Sequence, residues 1–141
     1  MTKLFRLDTL APNLAERFRR ASAEQRRRAA RIACEAAVEA AGLAAPEIND
    51  SLAILRADAI ADASLRERVE TLRERLDDAY FRLDDEGHRA DALLCFSRAR
   101  ATSAVGFALS VPEAELHEAI YESLAAVEEP TKLAGLVELA L

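Results

Sequence analysis

SLRERVETLRERLDDAYFRL, residues 64–83, is the stretch that decides the fold class. Leu65, Val69, Leu72, Leu76, Ala79 and Leu83 return at alternating steps of four and three, and Glu, Asp and Arg fill most of the positions between them. That period matches a helix burying one stripe and wetting the rest. Ser64 with Glu67 has the capping-box spacing that starts such a helix, and Gly87 supplies the left-handed residue that stops it.

The next segment, residues 89–109, has a different character. From Ala92 to Leu109 its only charged residues are Arg98 and Arg100, and the rest is apolar or small nearly all round. A helix of that kind is surrounded by other helices, so it is predicted to be the central one. Upstream, Pro12 suits the first turn of a short helix to about Arg20, after an irregular opening. Ser22 with Gln25 opens a longer helix that Gly42 ends, with Ala29, Ala33, Ala36 and Ala40 as its expected inner face. Small residues there allow close backbone approach. A helix is expected from Ile48 to Ala61 after Pro46, with Leu52 and Leu55 buried. Ser110 and Pro112 are read as restarting the chain into a helix that turns Leu116, Ile120, Leu124 and Val127 inward. A last short helix from Pro130 carries Leu133, Leu136, Val137 and Ala140. Few β-branched runs and few aromatics leave strands without support. The reading is an all-α, compact single-domain helical bundle of about six to seven helices spanning 1–141, with no fixed repeat period.

A chain of 141 residues, half of them hydrophobic, can build a core without disulfides or metals. No apolar run approaches the roughly 20 residues needed to cross a bilayer, and the first residues lack the pattern of a secretory signal. A cytoplasmic protein without membrane contact is therefore expected. Its basic residues are nearly all arginine and alanine is abundant, a skew that codon bias in a GC-rich bacterial genome produces. Cys34 and Cys95 lie among apolar neighbours and read as buried structural thiols.

Net charge is −6, yet residues 1–33 hold nine basic against three acidic side chains, so the body is strongly acidic. Arg26, Arg27, Arg28 and Arg31 form the densest basic run. They are either a phosphate-contacting helix or a solvated face paired to acids of the same molecule. No aromatics interleave with them after Phe18, which leaves a single-strand stacking platform unsupported. Arg98 and Arg100, about 200° apart on an otherwise apolar helix, need partners. Glu118, Glu122 or an acid on the 64–83 helix would pair them internally, and the alternative is an anion site between helices.

No constellation carries catalysis. Asp84, Asp85, Glu86 and His88 crowd together at a helix end, where a solvated acidic terminus explains them; the stretch lacks the alternating oxygens and final glutamate of a calcium loop. Glu113 and His117 are four apart, with Tyr121 a turn beyond, and read as a surface pair. No Glu-x-x-His, nucleophile elbow or glycine-rich phosphate loop occurs, so no catalytic residue, metal or cofactor is assigned. The favoured function is a small protein-binding or inhibitor module of immunity or antitoxin type. Its acidic patch of Asp77, Asp78, Asp84, Asp85 and Glu86 would mask a basic protein partner. A nucleic-acid-linked regulator using the arginine run is the second reading, and an enzyme or anionic-ligand sensor around Arg98 and Arg100 the third. A homodimer is compatible with each.

Overall fold

Eight helices follow one another along residues 3–110 and 114–141, the part of the chain described by the computed structural model. They are α1 (Arg6–Leu10), α2 (Pro12–Arg20), α3 (Ala23–Ala41), α4 (Pro46–Arg56), α5 (Ala63–Asp85), α6 (Arg89–Ala108), α7 (Leu116–Ala126) and α8 (Pro130–Glu138). No strand occurs among these residues. The extra helix is α1, at the opening expected to be irregular. It has no Ser, Thr or Asn cap. Instead Asp8 reaches back to accept from the Phe5 amide at 2.7 Å, and Arg19 of α2 pairs with the same carboxylate.

Helix α6 is central, touching α3, α4, α5 and α7. In its C-terminal half Ala99, Ala101, Thr102, Ala104, Val105 and Ala108 are all buried. The small side chains let neighbours close in: a methyl added at Gly106 would lie 3.8 Å from Val69 of α5. On α3 the buried face is Ala29, Ala30, Ala33, Cys34, Ala37, Val38 and Ala41, whereas Ala36 is half-buried and Ala40 exposed. The core stripe thus steps by four from Ala33 to Ala37 to Ala41, rotated from the expected Ala36–Ala40 line. Alanine on both sides gives no apolar contrast, and only Cys34 and Val38 mark the true side. Leu7, Leu14, Ile48, Ile120, Leu124 and Val137 supply the larger core side chains.

The ends follow local chemistry with three departures. Ser22 and Gln25 form the expected reciprocal box, and Gly42 closes α3 in the left-handed region. Helix α5 is capped by Asp62, whose carboxylate accepts from the Leu65 amide at 2.8 Å, so Ser64 lies inside the helix. Helix α4 stops at Arg56, short of the expected Ala61, because Asp58 turns left-handed with φ 52°. The hydroxyl of Ser110 donates back to the Gly106 carbonyl, and α7 begins at Leu116, after a turn at residues 114–115. Pro112 and Glu113 lie outside the described residues.

The neighbours of α6 do not run its full length. Arg98 donates from Nε to the carbonyl of Ala41, the last residue of α3, at 3.0 Å. Arg100 meets Glu122 of α7 at 3.2 Å, and α7 ends a turn later. Beyond that level cover is thin, and from Asp78 to Phe96 the only buried residue is Ala92. The α5–α6 hairpin therefore projects from the body, turning at Gly87 with φ 80°.

If the rotated stripe is the core face, enlarging Ala33 is expected to cost about 1–3 kcal/mol by overpacking. Enlarging exposed Ala40 should stay within about 0.5 kcal/mol. Urea denaturation of Ala33→Leu and Ala40→Leu checks this, and equal losses would put the wrong side of α3 in the core.

Candidate functional site

The projecting hairpin has two sides of different chemistry. Along the outer side of α5, away from α6, Glu67, Glu74, Asp78, Phe81 and Asp85 recur at helical spacing, and all five are exposed. Phe81 stands in the middle of this acidic stripe with 62% of its surface open. Its ring lies 5.1 Å from that of Tyr80, which in turn lies 5.5 Å from Phe96 of α6, so the exposed ring is backed by an aromatic ladder. Arg68, Arg75 and Arg82 are exposed along one margin of α5, so the stripe has a basic edge.

The five acids expected to act as one patch are divided by the helix. Asp78 and Asp85 share the outer stripe. Asp77 lies about 100° round from Asp78. It is taken by Arg73 on its own helix and by Arg100 at 3.7 Å. Asp84, seven residues on from Asp77, is exposed on that same flank, and Glu86 sits at the turn 3.8 Å from His88. Among the described residues no group of His, Cys, Asp and Glu is arranged to hold a metal ion.

Arg100 is bound internally. Its terminal nitrogens reach Asp77 of α5 and Glu122 of α7 at 3.7 and 3.2 Å. Glu122, only 3% exposed, also meets Arg6 of α1 at 3.1 Å, and Arg6 pairs with Glu118 as well. These hydrogen bonds, Glu118's first, hold the Arg6 guanidinium well above its ordinary pKa. A charge this deep would be costly alone, and here it has two cationic partners. Arg98 turns the other way, onto the carbonyl of Ala41 at the C-terminus of α3. The two arginines thus tie α6 to different neighbours and do not converge on one anion site.

The basic run is also engaged. Arg26 donates to the carbonyls of Phe18 and Arg19, Arg27 meets Asp58 at 2.9 Å, Arg28 meets Glu24, and Arg31 meets Glu35. Arg27, Arg28 and Arg31 line a shallow cleft of about 140 Å³ with Arg56, Leu55, Glu24 and Asp58, so acids are built into it beside the arginines.

His117 is not a surface residue. Its ring stacks on Phe5 at 3.8 Å, and burial lowers its pKa below the ordinary imidazole value. Tyr121 lies beneath Arg6, 4.3 Å from the guanidinium carbon. Glu113 lies outside the described residues. Cys34 is fully buried beside Ser123, and burial pushes its thiol up to about 12. Cys95 on the hairpin is half-buried. In the sequence Phe81, next to Tyr80 and among charges, looks like one more helix position. Its spacing of three and four from Asp78 and Asp85 was the available signal.

Two outcomes follow. Truncating Glu122 leaves Arg6 and Arg100 facing each other, though both retain solvent access. Glu122→Ala should then destabilise by about 2 kcal/mol, and half-exposed Arg6→Ala by no more than about 1 kcal/mol, in chemical denaturation. A disulfide-exchange thiol reagent should label Cys95 rapidly in the native protein and reach Cys34 only on unfolding, read as one against two equivalents. No protein-family model, curated protein or solved structure matches the chain.

Proposed function

We propose that this chain is a protein-binding module that presents the outer side of α5 to a basic partner. Phe81 is the central contact, and Asp78, Asp85, Glu67 and Glu74 are the charges that steer and orient. The observation carrying this reading is Phe81, a large aromatic that is 62% exposed in the middle of an acidic stripe. Within the fold this ring has its contact with Tyr80 and leaves most of its surface in water. It gains when buried in a partner's pocket, where aromatic anchors dominate binding energy. The acids lie on a rigid 23-residue helix, which suits electrostatic steering because their positions are fixed before contact. Within this class, an inhibitor of immunity or antitoxin type that masks a basic surface fits the acidic face best.

The arginine run supports the nucleic-acid reading less well, since Arg26, Arg28 and Arg31 meet carbonyls or carboxylates of their own neighbourhood. Phosphate binding there would have to displace those contacts.

Affinity capture from a cell lysate of the source organism, with and without nuclease, tests the assignment. A stoichiometric basic protein that survives nuclease is expected. Its affinity should drop about 30-fold or more on Phe81→Ala, as for an aromatic hot spot. Combined Asp78→Asn and Asp85→Asn should slow association and flatten its salt dependence. Capture unaffected by all three substitutions, or recovery of nucleic acid alone that nuclease removes, sinks the proposal.

A further inference from the structure

The other side of the hairpin is apolar, and the fold leaves it bare. Leu93, Leu94 and Phe96 at the start of α6 are 52%, 42% and 37% exposed. Leu93 and Leu94 continue the side of α6 that, further along, is packed by α3 and α7, because Ala90, Leu94, Ser97, Ala101 and Ala104 follow the same four-three stripe, whereas Phe96 turns towards Tyr80 of α5. Between Arg89 and Phe96, about 12 Å of helix, Ala92 is the only buried residue.

We infer that the occupant of this stripe is a second copy of the chain, whose own α6 lies antiparallel across it to form a four-helix contact between two hairpins. Three features favour a copy of itself over a foreign helix. The first is register. A two-fold axis passing between residues 93 and 94 sets Leu93 and Leu94 against their own counterparts and brings Ala90 opposite Ser97, so large side chains meet in the middle with small ones on either side. The second is length. The same axis brings Arg89 of one copy level with Arg98 of the other, where α3 ends and α7 is about to, so the overhang of each copy fills the gap above the body of the other. The third is charge. Asp91 and Arg98, seven residues apart, lie on the same flank of α6. Under an antiparallel two-fold, Asp91 of each copy falls within a turn of Arg98 of the other. The acidic outer side of α5 faces away from this contact and stays open.

Two large side chains per copy fall well below the roughly 800 Å² that each partner buries in a stable interface, so a weak dimer dissociating in the micromolar range or above is expected. Sedimentation equilibrium or light scattering on the full chain, from about 1 μM to about 0.5 mM, should show mass rising from monomer to dimer. Leu93→Asp with Leu94→Asp should stay monomeric with unchanged helical circular dichroism. Independently, the Leu94→Cys, Cys95→Ser variant treated with a short bismaleimide should give a covalent dimer, and Phe81→Cys, Cys95→Ser should not. A wild-type chain that remains monomeric throughout, or a dimer that survives both aspartates, overturns the inference. Neither result bears on partner capture through Phe81, which is read separately.

Discussion

How closely α3 can lie against α6 and α7 sets the dimensions of the whole bundle. The facing surfaces are built mostly from alanine, with Ala29, Ala33, Ala37 and Ala41 on α3 and Ala101, Ala104 and Ala108 on α6. Methyl groups bury little area each, so such a contact depends on near-continuous van der Waals fit rather than on large transfer free energies. That makes it intolerant of added volume. It also leaves little apolar surface for the outer helices, and a few larger residues, Leu7, Leu14, Ile48, Ile120 and Leu124, anchor these to the alanine centre.

A close-packed alanine face is weakly directional, because methyl groups offer few distinct ways to interlock. Register must be fixed elsewhere, and the ionic chain that crosses the bundle does so. Glu122 on α7 is held between Arg6 of α1 and Arg100 of α6, and Arg100 passes on to Asp77 of α5. Sliding α7 by one residue along α6 would turn Glu122 away from both cations and bury it unpaired, an expensive outcome. The Phe5–His117 stack adds a second pin between the N-terminal segment and α7.

These features differ in how legible they are in the sequence. The stripe of α5 and the apolarity of α6 are periodic signals, strong enough to yield an all-α bundle with α6 at its centre. Helix α1 was hidden because its cap is Asp8 bonding backwards, supported by Arg19 eleven residues away, and no local pattern announces that. On α3 the expected Ala29 and Ala33 are buried, and only the second half of the face differs by one position, Ala37 and Ala41 in place of Ala36 and Ala40, since alanine at both Ala36 and Ala37 carries no contrast. Pairing for Arg100 was anticipated and found in Glu122 and Asp77. The split of the acidic patch follows from helix rotation alone, because adjacent residues such as Asp77 and Asp78 cannot point the same way.

Apolar side chains on α6 continue past the point where the rest of the bundle buries them. A central helix is apolar all round only where something covers it all round. The C-terminal half satisfies this within the monomer, as Ala101, Ala104 and Val105 show. The N-terminal half carries Arg89, Asp91 and Arg98 but also Leu93 and Leu94, which stay 52% and 42% exposed. Leu93 and Leu94 therefore pay hydration at a place where polar residues would cost the fold nothing, since only Ala92 there is buried. Meanwhile the opposite side of the same hairpin, on α5, is densely charged. One projection with Leu93 and Leu94 on α6 and an acidic stripe on α5 keeps the two proposed contacts apart, so that pairing along α6, as inferred, would leave Phe81 and its flanking carboxylates open.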